Sequence, residues 1–260
     1  MTWLLHICFR ACGRKLEQIT PSRSWFGSTL VVCSLAGSLS AATVTGRVEL
    51  RDSREHAVRA KSDYSGVVMW LEGTAGSLPN PRASEHARML QKGKTFTPHV
   101  LAITEGTIVD FPNLDPIFHN AFSKYDGQLF DVGLYPPGSS RSIRFTRPGF
   151  VRVFCNIHSG MSAIIAVMDT SLFAVTKEDG SFEINGVPEG AYELRVFHER
   201  ATEATLAALR HRISVSQDKV ELPATVISET GYLALPHKNK YGHDYTPAPD
   251  DVGVYPATRQ

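Results

Sequence analysis

The chain has 260 residues, of which 42% are hydrophobic and 20% are charged, and its formal net charge is +1. These values are typical of a globular protein with one large domain or two small ones, and they exclude a largely disordered chain. A net charge so close to zero also argues against nucleic acid as a partner.

The N-terminal 42 residues differ from the rest of the chain. Basic residues precede an apolar run from Trp25 to Leu39, which is followed by the small residues Ser40-Ala41-Ala42. This order is typical of a secretory signal peptide over residues 1–42, with cleavage near Ala42. The run is short for a membrane span, although a short N-terminal anchor remains the alternative interpretation. We therefore expect a periplasmic or otherwise exported protein with no membrane span in the mature chain.

Cleavage near Ala42 would also change the charge and the cysteine content. The first 42 residues hold four of the 27 basic and one of the 26 acidic residues, so the remainder has a net charge of about −2. They also hold three of the four cysteines, which leaves Cys155. A single thiol in an exported protein forms no internal disulfide, and metal ligation is the explanation we favour.

Short strands dominate the predicted structure after the signal peptide. Alternating or β-branched runs bounded by turn residues occupy residues 44–50, 67–71, 99–103, 142–146 and 163–168. Residues 199–209 form the only convincing helical stretch, and residues 51–64 and 73–88 are predicted to be exposed loops. The sequence therefore predicts an all-β fold built from β-sandwiches.

Two segments in the middle of the chain carry candidate metal ligands. Residues 155–161, with the sequence Cys-Asn-Ile-His-Ser-Gly-Met, offer a thiol, an imidazole and a thioether within one short loop. Residues 110–120 read as a strand ending in a turn, and they supply a second histidine. A trigonal set of two histidines and one cysteine, with a weak axial methionine, is the blue-copper electron-transfer arrangement. The predicted ligands of one mononuclear copper ion are His119, Cys155, His158 and Met161.

Each of these residues also has a simpler interpretation. An unpaired cysteine can be an inert core residue, a turn histidine can face solvent, and a single methionine usually packs in a core. The spacing of the whole set favours a metal site over these alternatives. Zinc fits less well because a thioether is a poor zinc ligand. A cysteine-histidine hydrolase would leave Met161 without a role, so we do not expect an enzyme.

Residues 89–168 resemble the cupredoxins, and the Cys-x₂-His-x₂-Met spacing is similar to that of the amicyanin type. The resemblance is carried by Phe96-Thr97-Pro98, by residues 106–111, by His119-Asn120 and by residues 148–155. It implies a cupredoxin Greek-key β-sandwich, in which the side chain of Asn120 hydrogen-bonds across to the cysteine loop and orients the ligands. Phe118 departs from the family pattern, because a proline often precedes the first histidine there.

Residues 171–228 suggest a second sandwich. Asp179-Gly180 stands between alternating apolar runs, which is a strong hairpin signal. The block resembles the transthyretin-like or carboxypeptidase-regulatory-like β-sandwich, with residues 43–72 as its first strands. The resemblance implies a copper domain inserted into this second sandwich, although a tandem order fits the sequence almost as well. Residues 236–260 lack periodicity and are predicted to be a mobile C-terminal tail.

Taken over its larger span, the chain resembles the periplasmic proteins called methylamine utilization or plastocyanin-like proteins. The expected function is that of a periplasmic type 1 copper protein that transfers single electrons to unknown redox partner proteins through transient contacts. Two alternatives remain open. One is a copper carrier or storage protein that uses the same ligands. The other is a non-redox module that binds a cell-envelope partner and in which copper is structural.

Overall fold

The computed structural model describes residues 41–73, 85–124, 127–216, 218–233 and 236–245. Positions 1–40 of the predicted signal peptide lie outside this part of the chain, as do residues 74–84 of a predicted loop and residues 246–260 of the predicted tail. Strands dominate the described residues and the helices are short, so the predicted all-β fold is confirmed. None of the helices in these ranges is long and apolar enough to cross a membrane.

Short strands and two short helices follow one another along the described residues. The first half of the chain contains β1 (Ala42–Arg51), α1 (His56–Lys61), β2 (Val68–Gly73), β3 (His86–Arg88), β4 (Leu90–Lys92), β5 (Thr95–Thr97), β6 (Val100–Thr104), β7 (Ile108–Pro112), β8 (Phe122–Ser123) and β9 (Phe130–Asp131). The second half contains β10 (Ser140–Arg144), β11 (Gly149–Phe154), β12 (Ser162–Met168), β13 (Phe173–Val175), β14 (Ser181–Val187), β15 (Gly190–Phe197), α2 (Glu203–Ala208), β16 (His211–Val215), β17 (Lys219–Glu221) and β18 (Thr225–Ser228).

One pair of sheets joins strands from early and late parts of the chain. In the first sheet β1 pairs antiparallel with β14 and parallel with β17 and β18. The second sheet has the order β13-β2-β15-β16. A first hydrophobic core contains buried side chains of both sheets, including Val44, Val48, Leu71, Ile184 and Leu194. The strands on either side of residues 89–168 therefore share a single core.

A second pair of sheets is formed by the residues between β2 and β13. One of its sheets has the order β6-β12-β11-β8-β9, and the other has the order β10-β7-β3. The second core contains Phe111, Tyr135, Phe145, Val153 and Ile165, all of them fully buried. This core also contains Cys155, so the predicted metal site lies in the second pair of sheets.

The two pairs of sheets pack on each other through β2 and β12, which are buried on both faces. Along β12, Ile165 lies in the second core, while Ile164 and Ala166 lie in a third cluster with Val68 and Trp70 of β2. Successive strand residues point to opposite faces, so a strand between two cores must be apolar at every position. This explains the unbroken apolar runs of β2 and β12.

The helices differ in part from their prediction. The helix predicted over residues 199–209 is shorter in the structure, where α2 begins after Thr202, whose hydroxyl accepts a hydrogen bond from the Thr205 amide. Helix α1 lies within residues 51–64, which we predicted to be a loop. It buries only Val58 and has no side-chain cap, so the sequence carries neither an apolar face nor a capping signal for it.

Candidate metal centre

The thiol of Cys155 is delivered by β11. Val151 and Val153 of this strand lie in the second core, and the two-residue period places the Cys155 side chain on the same face just beyond the strand end. Cys155 is fully buried, and it is the only free cysteine among the described residues. The strand therefore holds the sulfur at the end of the core, where loops can bring other ligands to it.

A tight turn after β7 positions His119. The Asn113 side chain accepts a hydrogen bond from the Asp115 amide and donates one to the Ile117 carbonyl. The backbone of His119 then pairs with that of Tyr135 in both directions, at 2.9 and 3.2 Å. His119 is fully buried as a result, with its ring fixed at the edge of the second core.

Both histidines present their Nδ1 atoms to the sulfur of Cys155. The Sγ atom lies 3.5 Å from Nδ1 of His158 and 3.9 Å from Nδ1 of His119. The three ligand atoms lie within 4.8 Å of one another. The structure thus brings together a thiol from one strand end, a histidine of its own loop and a histidine 36 positions upstream.

Met161 closes the loop that carries Cys155 and His158. Its amide donates to the His158 carbonyl at 3.0 Å, and its carbonyl accepts from the Cys155 amide at 3.2 Å. The side chain is fully buried in the same core as the thiol. The loop therefore turns back on itself, and the backbone of Met161 contacts that of the other two predicted ligands of this loop.

Asp115 was not among the predicted site residues, yet it contacts His119 directly. Its Oδ2 atom lies 2.8 Å from Nε2 of His119. Burial by itself raises the pKa of Asp115, but hydrogen bonds from the Lys94 and Gly93 amides and from His119 outweigh it, so the pKa lies below its ordinary value. An ionised carboxylate only accepts, so Nε2 carries the proton and the Nδ1 lone pair faces the sulfur. The four-residue spacing within the turn was the available signal.

The side chain of Asn120 has other partners than the resemblance implied. It donates to the Asp131 carboxylate at 2.8 Å and to the Gly133 carbonyl at 2.9 Å, rather than to the cysteine loop. Its backbone amide, in contrast, hydrogen-bonds to the thiol of Cys155. A carboxylate is a stronger acceptor than a neutral loop carbonyl, which accounts for the choice of Asp131.

Burial sets the protonation states of the two ligands of the loop. It raises the pKa of the Cys155 thiol, against the opposing effect of hydrogen bonds from the amides of Ile157, Asn120 and His158. Burial, together with the nearby positive charge of Lys94, lowers the pKa of His158 to about 4. At neutral pH the His158 ring is therefore neutral and has a lone pair available for a metal.

The first ten residues of the predicted C-terminal tail make specific contacts with the rest of the protein. Residues 236–245 lie against the loop that carries Cys155. The ring of His237 stacks on Phe154 with centroids 4.0 Å apart, and the Tyr245 hydroxyl donates to the Cys155 carbonyl at 2.8 Å. These partners are distant in sequence, so hydrophobic periodicity carries no signal for them.

The donor atoms fit copper. Two imidazole nitrogens and a sulfur form a soft to borderline set, and a buried methionine lies in the same loop. The carboxylate on the second nitrogen of His119 is the partner that metal-bound histidines usually have. Zinc accepts histidine and cysteine as well, but a thioether adds little to a zinc site.

Comparisons with known proteins place cupredoxins among the structural neighbours. No protein-family model matches the chain, and no curated protein matches it. A purple cupredoxin from Nitrosopumilus maritimus is 22% identical with a TM-score of 0.30, over 32% of this chain and 99% of that one. An oxidised amicyanin variant is 16% identical with a TM-score of 0.31, over 32% of this chain and 83% of that one.

A copper-containing nitrite reductase from Thermus scotoductus is a further structural neighbour. It is 28% identical with a TM-score of 0.31, over 38% of this chain. The match spans only 25% of that reductase. All three similarities are therefore partial.

Proposed function

We propose that this protein is a type 1 copper protein that transfers single electrons through one mononuclear site. The observation that carries the proposal is the proximity of the Cys155 sulfur to the Nδ1 atoms of His158 and His119, at 3.5 and 3.9 Å, with all three atoms within 4.8 Å of one another. Met161 would be the fourth ligand, because it is buried in the same loop. This is the ligand set of blue-copper sites.

The residues around the sulfur would prepare the site before a metal binds. Asp115 holds the proton on Nε2 of His119 and leaves Nδ1 free, and burial keeps His158 neutral. The thiol of Cys155 would release its proton on metal binding, as thiolate ligands do. A bound copper ion would supply a centre that gains or loses one electron at a time. Two imidazoles and a sulfur that are held in place by the fold favour electron transfer, because their positions would change little when the metal changes its oxidation state.

Burial also suggests where electrons enter and leave. His119 and Cys155 are fully buried, whereas His158 is only half-buried and Ile157 beside it is partly exposed. The edge of the His158 ring is therefore the part of the ligand set nearest to solvent. We propose that unknown redox partner proteins contact this edge, in the transient and small interfaces usual for such carriers.

The domain order and the export of the chain belong to the same proposal. The first core, with residues 42–71 and 172–227, is proposed to be the transthyretin-like sandwich, and the second core, with residues 89–167, the inserted cupredoxin domain. Residues 1–42 are proposed to be a signal peptide that directs the chain to the periplasm. The mass of the protein recovered from the periplasmic fraction tests this, because cleavage near Ala42 would remove the N-terminal segment.

The copper proposal is tested by visible absorption and electron paramagnetic resonance spectra of the full chain after addition of Cu(II). We expect one copper per chain and an intense thiolate-to-copper band, which Cys155→Ser abolishes. The matched control is His211→Ala, which removes an exposed histidine outside the site and should leave the spectrum unchanged.

The other outcomes of the same experiment select between the alternatives. Tightly bound Cu(I) without a coloured cupric form and without a reversible one-electron wave would contradict electron transfer and indicate a copper carrier or storage protein. A folded wild-type protein that binds no copper would contradict the metal site altogether. It would leave a non-redox binding module for the cell envelope.

A further inference from the structure

Residues 236–245, which we name the C-terminal strap, lie along the loop that carries two of the proposed copper ligands. This part of the chain has no strand or helix of its own. Its position is instead determined by hydrogen bonds and ring contacts to residues about 80 to 110 positions upstream. Contacts of such long range are lost when either partner moves, so they couple the strap to the loop.

Three hydrogen bonds attach the strap to the backbone and side chains of this loop. The Tyr245 hydroxyl donates to the carbonyl of Cys155 at 2.8 Å. The Lys240 amide donates to the side chain of Asn156 at 2.9 Å. Nε2 of His237 lies 2.9 Å from the carbonyl of Ser159, which can only accept, so this nitrogen carries a proton. The bonds are spread from one end of the loop to the other.

Ring contacts reinforce the hydrogen bonds on one side of the loop. The His237 ring stacks on Phe154, the residue before Cys155, with centroids 4.0 Å apart and an interplanar angle of 27°. The Tyr245 ring meets the His237 ring edge-on at 5.1 Å. Such pairs contribute stability beyond the area they bury. Three aromatic groups in succession thus cover the strand end from which the thiol projects.

The strap also reaches the second ligand segment. The Lys240 ammonium lies 2.8 Å from the Asp131 carboxylate, whose other oxygen accepts from the side chain of Asn120, next to His119. The Lys240 side chain is only 19% exposed, so water screens this ion pair less than it would at the open surface. Lys240 and Asp131 therefore connect the two segments that supply the ligands.

We propose that the C-terminal strap is a working part of the metal centre, in which Tyr245 and His237 are positioning residues that hold the ligand loop closed over the Cys155 thiol. The effect on copper rests on the proposed function. The protection of the thiol does not, because it depends only on contacts present in the metal-free protein. The two parts of the proposal can therefore be measured separately.

The test is the rate at which iodoacetamide alkylates Cys155 in the metal-free full chain. Mass spectrometry of the peptide that contains Cys155 separates it from the three N-terminal cysteines. A buried thiol reacts only when its loop opens. Tyr245→Phe loses the hydrogen bond to the Cys155 carbonyl, which should raise the rate about threefold to tenfold. His237→Ala loses a hydrogen bond and the ring stacked on Phe154, so it should raise the rate at least as much, and the double variant about tenfold to a hundredfold.

A matched control lies within the strap itself. His243→Ala makes the same chemical change as His237→Ala at an exposed position of the strap, and it should leave the rate unchanged. His237→Phe keeps a ring to stack on Phe154 but loses the hydrogen bond to Ser159, so it should restore part of the protection. Thermal unfolding of each variant establishes that it is folded at the temperature of the assay.

A second readout applies to the copper-loaded protein. The double variant should release copper to a chelator about ten times faster or more, and its charge-transfer band should shift, because the loop that holds the thiolate is less constrained. Unchanged alkylation rates in the folded double variant would overturn the proposal, whatever the spectrum shows. Faster alkylation in a protein that binds no copper would support the strap and contradict the copper function alone.

Discussion

Nε2 of His119 lies 2.8 Å from Oδ2 of Asp115, and both side chains are buried. The same carboxylate accepts hydrogen bonds from the amides of Gly93 and Lys94, so it is itself held in place. A carboxylate fixed by the backbone orients the ring more firmly than water would. It also makes the nitrogen that faces the sulfur a better electron donor.

We predict that Asp115→Asn lowers the affinity for copper about tenfold to a hundredfold. The amide is similar in shape to the carboxylate but lacks its charge, so it holds the His119 tautomer less strongly. The measurement is a competition titration with a chelator of known affinity. The charge-transfer band should persist with a shifted maximum, because the ligands themselves remain.

The chain offers a matched control for Asp115 at its surface. Asp110 lies 2.9 Å from Nδ1 of His86, a pair whose histidine side chain is 54% exposed. Asp110→Asn therefore removes the same kind of contact outside the site and should leave copper affinity unchanged. Equal affinities for wild type and Asp115→Asn would contradict an orienting role for this carboxylate.

Protonation of His99 should make stability depend on pH. Its hydrogen bond with Glu199, opposed in part by burial, raises the pKa of His99 above its ordinary value of 6.5. The stability that protonated His99 contributes is complete below pH 6.5 and is lost as the pH rises through the raised pKa of His99. Burial acts to raise the pKa of Glu199, but His99 and Arg200 outweigh it, so the pKa of Glu199 is lowered. The stability that ionised Glu199 contributes is therefore lost as the pH falls below about 4.5. The pair therefore stabilises most between these values.

We predict that Glu199→Gln costs more stability near pH 5.5 than near pH 8.5, by up to about 1 kcal/mol, because the pair is partly exposed to solvent. Glu199 also pairs with Arg200, but arginine does not titrate in this range, so that loss is the same at both pH values. The measurement is the free energy of unfolding in urea for wild type and variant. A difference that is constant with pH, or larger at high pH, would contradict the prediction.

Local patterns predicted much of what lies close together in the chain. Cys155, His158 and Met161 belong to one short loop, so their proximity follows from spacing alone. The predicted run at residues 163–168 corresponds to β12, because a strand buried on both faces must be continuously apolar. In both cases the evidence lies within a few residues of the feature.

Contacts between distant residues were beyond such patterns. The hydrogen bond from Tyr245 to Cys155 spans 90 positions, and the ion pair of Lys240 with Asp131 spans 109. Tyr245 and Lys240 lie outside any periodic segment. The residues that they contact are determined by the path of the chain through two sandwiches, which local patterns do not show. Asp115 was missed although it lies only four residues from His119. A polar residue in a turn usually faces solvent, so nothing in its type or position indicated a contact with a buried histidine.

The junction between the two pairs of sheets should unfold together with both cores. Ile164 is only 2% exposed and packs in the third cluster with Val68 and Trp70. We predict that Ile164→Ala lowers the free energy of unfolding by about 2 to 4 kcal/mol, through lost apolar burial and a cavity. Leu129→Ala, at a residue 60% exposed, should change it by less than about 0.5 kcal/mol.

Urea unfolding followed by both tryptophan fluorescence and far-ultraviolet circular dichroism measures these changes. We expect the two probes to report the same transition in Ile164→Ala, because the cluster joins the sheets into one cooperative unit. Two separate transitions in the wild type would show that the sandwiches unfold independently, and would contradict this prediction.

The turn at Asp179-Gly180 needs glycine for two reasons. Gly180 has a φ of +80°, in the left-handed region, and a Cβ atom there would overlap the carbonyl oxygen of Val48 on β1. The same residue accepts a hydrogen bond from the Val48 amide at 2.8 Å, so the turn cannot move away without losing that contact. We predict that Gly180→Ala lowers the free energy of unfolding by about 2 to 5 kcal/mol, from backbone strain plus overlap.

A substitution at Gly186 distinguishes the backbone strain from the overlap with Val48. Its φ of +72° is similar to that of Gly180, but no atom lies within 4 Å of the position its Cβ would occupy. Gly186→Ala should therefore show the backbone strain alone, about 1 to 2 kcal/mol, in urea unfolding. Equal losses in the two variants would mean that β1 moves aside at Val48 without cost, and that the overlap contributes nothing. A larger loss in Gly180→Ala establishes that the turn is held against β1 by close backbone contact.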